Sequence, residues 1–140
     1  MIILQKIEDY SELLRQSKTI AVVGLSPKDA RPSNDVARYL LAAGYTIIPV
    51  NPGHDEILGL KCYPNLLDIP VKVDIVDIFR NSADVGPIVK DAIQIGTKAV
   101  WMQIGVINES AAAEARKHGI QVVMDKCIKI EHRSTVAATK

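Results

Sequence analysis

The sequence predicts an α/β protein with a doubly wound, mainly parallel, five-stranded Rossmann-like sheet and helices on both faces. Short apolar runs rich in β-branched residues alternate regularly with segments whose apolar residues have helical spacing. Short linkers separate them, and right-handed crossovers between parallel strands favour a doubly wound sheet. The predicted strands are residues 19–23, 46–50, 73–79, 99–102 and 121–124.

The helices are predicted from apolar stripes and from residues that begin and end helices. A first helix is expected at about residues 7–16, and a short final helix is expected after Cys127. The stripes between them consist of Val36, Ala37, Leu40 and Leu41, then of Val85, Ile88, Val89, Ala92 and Ile93, and then of Ala111, Ala112 and Ala115. The predicted start and end residues are Ser33 or Asn34 with Gly44, Ser82 with Gly96, and Asn108 with Gly119.

The composition is that of one globular domain, residues 1–140, with a tail at residues 133–140 that is expected to fray. Hydrophobic residues make up 48% and charged residues 24%, and the formal net charge of +1 gives no support to a nucleic acid or a membrane surface as partner. Residues 1–14 lack a signal-peptide pattern and no apolar run could span a membrane, so the cytoplasm is the expected location. Cys62 and Cys127 match neither a zinc-ligand spacing nor a disulfide scaffold, and no metal site is predicted.

The loop after the first strand has residues that suit a phosphate. Gly24 ends the strand and allows a sharp turn and a close approach to a ligand. Ser26 and Ser33 supply hydroxyl groups, Lys28 and Arg31 supply positive charge, and the N–H groups that open the next helix suit an anion. The Gly-x-Gly-x-x-Gly pattern of nicotinamide dinucleotide sites is missing. From this loop alone, a pyrophosphate site and an ordinary surface loop are equally good interpretations.

The second strand ends in Asn51-Pro52-Gly53, where a nicotinamide dinucleotide site would carry an acidic residue for the ribose. The amide of Asn51 does not repel a phosphorylated ribose as a carboxylate would. The same three residues also form a common type of turn. This segment therefore indicates a nucleotide only together with the first loop.

Later strand ends add candidate residues at the same edge of the predicted sheet. Arg80 is a further cation, and Gln103 and Gly105 fall where a ligand chain would leave the nucleotide. Trp101 is interpreted as a core residue rather than a stacking partner. Cys127 is either a small buried hydrophobic residue or a thiol made more reactive by the start of the final helix.

The order and spacing of five segments resemble the CoA-binding domain family, specifically its small single-domain members, and the N-terminal part of the succinyl-CoA synthetase α subunit. The resemblance covers about residues 10–133 and implies a Rossmann-like domain that binds coenzyme A. The segments are Val23-Gly24-Leu25-Ser26, Arg31-Pro32-Ser33, Asn51-Pro52-Gly53, Trp101-Met102-Gln103-Ile104-Gly105 and Cys127-Ile128-Lys129-Ile130-Glu131-His132.

The cofactor contacts implied by this resemblance all lie at strand ends. The residues implied to wrap the CoA phosphates are Gly24, Leu25, Ser26 and Lys28. The other implied contacts are Asn51 and Pro52 at the adenosine, Phe79 and Arg80 at the border of the site, and Met102, Gln103 and Gly105 along the pantetheine. Arg31 and Ser33 are added on charge and position, and Lys28 or Arg31 is expected to hold the 3′-phosphate.

The leading hypothesis is a domain that binds CoA or an acyl-CoA without catalysis of its own, either as a homo-oligomer or with a partner protein. The synthetases also need a further domain with a phosphorylated histidine, which this sequence does not contain, and no catalytic residue is predicted. Two alternatives stay open. One is an NAD(H)-binding sensor domain, and the other is an enzyme or thiol-exchange protein that uses Cys127 with CoA.

Overall fold

The computed structural model describes residues 10–137. Its five helices are α1 (Ser11–Gln16), α2 (Pro32–Ala42), α3 (Val85–Ile95), α4 (Glu109–Lys117) and α5 (Ile128–Ser134). Its strands are β1 (Thr19–Val23), β2 (Thr46–Val50), β3 (Glu56–Ile57), β4 (Leu60–Lys61), β5 (Ile75–Ile78), β6 (Ala99–Met102) and β7 (Gln121–Val123). Within residues 10–137, no helix has the length and apolar character needed to cross a membrane.

The main sheet contains five strands in the order β2-β1-β5-β6-β7, and every neighbouring pair is parallel. This confirms the predicted Rossmann-like sheet. The chain proceeds from β1 outward to β2 and then returns to place β5 on the other side of β1. The strand order therefore reverses between β1 and β5, which is where open α/β sheets leave a crevice at the carboxyl ends of the strands.

Helices cover both faces of the sheet, because successive residues of each strand point to opposite sides. On one face Ile20 and Val22 pack with residues of α1, α2 and α5. On the other face Ala21 and Val23 pack with residues of α3 and α4. Strands that are buried on both faces must be apolar throughout, which explains the continuous apolar runs seen in the sequence.

The predicted strand boundaries differ from the structure at two places. The third predicted strand, residues 73–79, is shortened to Ile75–Ile78, and the last ends at Val123. The hairpin of β3 and β4 and a 3-10 turn at Leu66–Asp68 were not predicted. Two-residue strands are too short to show an alternation of apolar and polar residues, so the pattern carried no signal for them.

The start of α2 corrects the prediction that Ser33 or Asn34 caps this helix. The helix begins at Pro32, whose fixed φ suits the first helical position, and Arg31 precedes it as the cap residue without a side-chain hydrogen bond. Ser33 and Asn34 bond the preceding loop instead. The hydroxyl of Ser33 accepts from the N–H of Ser26 at 2.9 Å, and the amide of Asn34 donates to the Ser26 carbonyl at 2.9 Å.

The other predicted helix ends give mixed results. Ser82 does not cap α3, because a 3-10 turn at Ser82–Asp84 comes first, and its hydroxyl accepts from Ile107 N–H at 2.9 Å. Asn108 caps α4 by accepting from Ala111 N–H at 2.9 Å, and Gly96 ends α3 with a left-handed φ of 71°, as predicted. Gly44 and Gly119 each follow the cap residue of their helix by one position.

The two ends of the chain are only partly described. Residues 7–9 of the predicted first helix lie outside the described residues, and α1 begins at Ser11. The predicted frayed tail, residues 133–140, starts too early, because α5 continues through Ser134 and Val136 packs against the core. Residues 138–140 lie outside the described part of the chain. Apolar contact with α1 and α2 holds this segment, and the sequence pattern of the tail did not indicate that contact.

Candidate functional site

A cleft of about 470 Å³ opens at the carboxyl edge of the sheet, where the strand order reverses. We call it the large cleft, and it lies on the face covered by α2 and α5. The predicted site residues that line it are Gly24, Ser26, Arg31, Ser33, Phe79, Arg80 and Gln103. The lining residues that were not predicted as contacts are Pro32, Val36, Asn81, Ile104, Val106 and Cys127.

The loop from Gly24 to Arg31 is held by hydrogen bonds within the loop and to side chains of α2. Besides the bonds to Ser33 and Asn34, the N–H of Lys28 donates to the Ser26 hydroxyl at 3.1 Å. The guanidinium of Arg38 donates to the carbonyl of Asp29 at 3.0 Å. The hydroxyl groups expected to face a phosphate therefore also shape the loop, and each hydroxyl keeps its own proton to donate.

Gly24 is required by the close approach of two strand ends. Its φ is +89°, and its N–H donates to the Val50 carbonyl at 2.8 Å. A Cβ at this position would overlap the carbonyl oxygen of Phe79 and would lie 3.3 Å from Nε of Arg80. Only glycine therefore lets β1 and β5 end side by side with the large cleft open above them.

The charge of the large cleft is positive. Two arginines, Arg31 and Arg80, line it, and no carboxylate appears among its described lining residues. The eleven-residue helix α2 starts at the cleft, so the positive end of its dipole lies there. Pro32 has no N–H, and the N–H groups of Asn34 and Asp35 both donate to the Arg31 carbonyl at 3.1 Å, so the N–H of Ser33 is the main-chain donor that this helix start can offer. Arg31 is exposed, whereas Arg80 is half-buried between the strand ends. This combination is suited to an anion such as a pyrophosphate.

A second, smaller cavity of about 150 Å³ lies on the opposite face, beside α3, and we call it the small cleft. Its lining is mostly apolar and consists of Val23, Val50, Pro52, Pro64, Asn65, Leu66, Arg80, Ile88 and Asp91. Arg80 lines both clefts and therefore stands between them. Of this lining, Pro52 and Arg80 were predicted as contact residues. Val23, Val50 and Ile88 were placed in predicted strands or in a predicted helix without a role in binding, and the segment from Pro64 to Leu66 shows no recognisable pattern.

Five of the predicted contact residues line neither cleft. The side chains of Leu25 and Met102 are fully buried in the core. Lys28 is exposed, and the N–H of Gly105 donates to Oδ1 of the Asp125 carboxylate at 2.7 Å. The fifth residue, Asn51, bonds the first loop. Contacts from Leu25 and Met102 to a ligand could therefore come only from their main chain.

Asn51 joins two neighbouring loops. Its side-chain amide donates to the carbonyl of Leu25 at 2.9 Å, and its own N–H donates to the Tyr63 carbonyl at 2.9 Å. The amide therefore fixes the end of β2 against the loop after β1. A carboxylate could not do so, because it has no proton to donate.

A buried carboxyl group lies directly beneath the large cleft. Asp77 is fully buried in β5, and burial raises the pKa of its carboxyl well above the ordinary value of 3.8. Its Oδ1 accepts a hydrogen bond of 3.0 Å from Nε2 of Gln103. The sequence analysis missed Asp77, although an acidic residue inside an otherwise apolar strand was a visible signal.

Trp101 and Cys127 have different positions relative to the large cleft. Trp101 is fully buried, and its indole N–H donates to the carbonyl of Lys126 at 2.9 Å, which confirms its interpretation as a core residue. Cys127 is a free, partly exposed cysteine that lines the cleft. Among residues 10–137, no three His, Cys, Asp or Glu side chains lie close enough to hold a metal ion.

Comparison with known proteins assigns this architecture to a family. A family model that describes a CoA binding domain matches residues 18–133. The chain belongs to the CoA-binding domain family. The match includes β1 through the first six residues of α5, so it spans both clefts and every loop described above.

The relatives of this CoA-binding domain include proteins of similar size and parts of much longer enzymes. The uncharacterized protein YneT of Bacillus subtilis (strain 168) is 40% identical over 91% of this chain and 94% of its own length. The solved structure of Prb, a PH1109 protein redesigned for binding, has 43% identity and a TM-score of 0.88, covering 90% of this chain and 89% of that one.

The chain is also homologous to the CoA-binding domain of ADP-forming acetate–CoA ligases. Acetate–CoA ligase [ADP-forming] II of Archaeoglobus fulgidus is 37% identical over 117 residues. The match covers 75% of this chain but only 17% of the ligase. The chain therefore corresponds to a small part of that enzyme.

Proposed function

We propose that this domain binds coenzyme A, or an acyl-CoA, along the carboxyl edge of its sheet and carries no catalysis of its own. The observation that carries the proposal is the position of Arg80 between two clefts of different character. A CoA molecule has a flat base with apolar faces and a polar edge, a group of phosphates and a long chain that contains amides. The two clefts and the arginine between them offer a matching sequence of environments.

The adenine would occupy the small cleft, whose apolar walls suit a flat ring. Val50, Pro52 and Ile88 would contact its faces, and Asn65 and Asp91 would offer polar groups to its edge. Because Arg80 borders this cleft, its guanidinium would reach the phosphorylated ribose.

The pyrophosphate would lie at the start of α2, where Arg31, Ser33 and the positive end of the helix dipole face the large cleft. The pantetheine would then follow the large cleft towards Gln103 and Cys127. Lys28 lines neither cleft and would contribute mainly long-range charge. The site residues predicted from the sequence thus remain a proposal, with Arg80 in a more central position than Lys28.

Isothermal titration with CoA, dephospho-CoA and NADH tests this proposal. We expect CoA to bind, and dephospho-CoA to bind at least about tenfold more weakly because it lacks a charged partner for an arginine. NADH should bind weakest, since neither the three-glycine turn nor an acidic residue at the end of β2 is present. Absence of CoA binding at millimolar concentration would contradict the proposal, and tighter binding of NADH would favour the sensor alternative.

Any reaction of the bound acyl-CoA would need other protein segments. The chain matches only 17% of the ligase from Archaeoglobus fulgidus, so the activity of that ligase is not carried over to this domain. A partner protein or a second copy of the chain would supply the additional groups. Size-exclusion chromatography with and without CoA would show whether a cofactor-dependent assembly forms.

A second candidate function is thiol exchange, which the position of Cys127 in the large cleft favours. In this reaction the Cys127 thiol, after losing its proton, attacks the disulfide of oxidised CoA. A protein–CoA disulfide forms, and one reduced CoA leaves and takes up a proton. Intact mass after incubation with oxidised CoA measures the adduct.

Two variants make that measurement specific. Cys127→Ser should abolish the adduct. Cys62→Ser should retain it, because Cys62 is buried and burial raises the pKa of its thiol. An adduct that persists in Cys127→Ser, or none in the original chain, would remove this candidate.

A further inference from the structure

Asp77 occupies an unusual position for an acidic residue. It lies in the middle strand of the five, and its register neighbours are Val22 on β1 and Trp101 on β6. All three side chains share the face that packs against α2 and α5, and apolar side chains fill that layer. A carboxyl group in such surroundings favours its neutral form, because no solvent stabilises the charge.

The hydrogen bonding of Asp77 is incomplete. Its Oδ1 is bonded to Gln103, but its Oδ2 is one of two buried side-chain polar atoms without a hydrogen-bond partner among residues 10–137. Buried polar groups are nearly always paired in folded proteins, and an unpaired one lowers stability. A structural role alone would be served better by an apolar side chain of similar size.

Gln103 connects this buried carboxyl to the large cleft. It lies two residues beyond Trp101, on the same face and one step nearer the carboxyl edge, beside Gly24 and Phe79. Within the described residues, the hydrogen bond of the Gln103 side chain runs from its Nε2 to Oδ1 of Asp77. Its carboxamide oxygen therefore retains the capacity to accept from a molecule in the cleft.

We propose that Asp77 is a positioning residue for ligand binding, which holds the Gln103 carboxamide in the floor of the large cleft so that its oxygen accepts the N–H of an amide in the ligand. This inference rests on the proposed function, in which the ligand is CoA and its pantetheine chain carries amide groups. Asp77 itself does not touch the ligand. Its contribution is to fix the orientation of the Gln103 carboxamide.

The test compares CoA with adenosine 3′,5′-bisphosphate. The bisphosphate has the adenosine, the 3′-phosphate and the first 5′-phosphate of CoA, and it lacks the second 5′-phosphate and the pantetheine. We expect Asp77→Leu and Gln103→Leu to weaken CoA binding by about tenfold, the value of one hydrogen bond, and to change binding of the bisphosphate less than about twofold. Asp77→Asn keeps an oxygen that accepts from Gln103 and should retain most of the CoA affinity.

A remote variant controls for general loss of stability. Asp74 lies at the opposite edge of the sheet, where its carboxylate accepts from the N–H groups of Lys18 and Thr19 at 2.8 and 3.1 Å. Asp74→Asn should lower the melting temperature without changing the ratio of the two affinities. If Asp77→Leu weakens both ligands equally, or neither, the positioning role is wrong.

The outcomes also separate this inference from the proposed function. Wild-type protein that binds CoA no better than the bisphosphate would overturn the inference and leave nucleotide binding intact. Wild-type protein that binds neither ligand would overturn the proposed function, and the inference with it. If Asp77→Leu does not fold, Gln103→Leu and Asp77→Asn still give the comparison.

Discussion

Gly24 and Phe79 approach each other so closely that a Cβ on Gly24 would overlap the carbonyl oxygen of Phe79. Gly24 directly follows β1 and Phe79 directly follows β5, at the point where the strand order reverses. The main chain of these two residues therefore forms part of the floor of the large cleft, beside the Gln103 side chain.

The first prediction concerns Gly24→Ala. The new methyl group would push the two strand ends apart. The alanine would also have to adopt a left-handed φ, so both the fold and the cleft should change. Gly44→Ala is the matched control, because Gly44 also has a positive φ, +103°, but apart from its own and its neighbours' atoms nothing lies within 4 Å of the place where its new methyl group would stand.

Urea unfolding and CoA titration distinguish these two variants. Gly44→Ala should cost about 1–2 kcal/mol of unfolding free energy and leave CoA affinity unchanged. Gly24→Ala should cost more and reduce CoA affinity by at least about tenfold, since the cleft itself is displaced. Equal behaviour of the two variants would show that φ, and not the contact with Phe79, is what matters at Gly24.

The second prediction separates the roles of the two arginines. Arg80 stands between the clefts and should hold the 3′-phosphate, so Arg80→Gln should weaken CoA by roughly tenfold or more and leave dephospho-CoA nearly unaffected. Arg31→Gln should weaken both ligands alike, because both carry the pyrophosphate. Lys28→Gln, at an exposed position outside both clefts, should change little. A selective loss of CoA in Lys28→Gln would contradict this assignment and return the 3′-phosphate to the first loop.

The third prediction concerns Asn51→Asp. A carboxylate at this position would face the Leu25 carbonyl without a proton to share, and we expect a loss of about 1–3 kcal/mol of unfolding free energy at neutral pH. Asn65→Asp is the matched control, because Asn65 accepts from the N–H of Asp68 and a carboxylate can still do so. Thermal unfolding of both variants measures the difference. A stable Asn51→Asp variant that gains NADH affinity would support the nicotinamide alternative.

The fourth prediction is a pH dependence of stability caused by Asp77. Burial raises the pKa of this carboxyl in the folded protein, whereas the unfolded chain loses the proton near the ordinary value of 3.8. Above that value the folded state binds more protons than the unfolded state, so the contribution of Asp77 falls as pH rises, by up to about 1.4 kcal/mol per pH unit. It is fully present below the ordinary pKa of the group.

Asp77→Leu removes this dependence. Urea unfolding between about pH 4 and pH 7 should therefore show the variant gaining stability relative to the wild-type protein as pH rises. Gln103→Leu serves as the control, because it keeps the buried carboxyl and should keep the pH slope. Parallel pH profiles of Asp77→Leu and wild-type protein would mean that Asp77 does not stay protonated when folded.

The sequence determined the fold because strands buried on both faces must be apolar over their whole length. The apolar runs of β1, β2 and β6 therefore appear in the sequence with the bounds that the structure has. The same pattern predicts that the clefts lie at the carboxyl edge of the sheet, since parallel strands bring their carboxyl ends together. Gly24, Arg31 and Arg80 could be named from the sequence because they lie in the loops that follow those strand ends.

Only the tertiary structure decided which of these residues face a cleft and which hold the loops. Asn51 bonds Leu25 and Gln103 bonds Asp77, and each pair is separated by 26 positions in the sequence. Such bonds depend on strand order and register, which no local pattern encodes. The same reason explains why the small cleft was not predicted. Its walls come from the ends of β1 and β2, from three separate segments at Pro52, Pro64 to Leu66 and Arg80, and from α3, and they meet only after the sheet has formed.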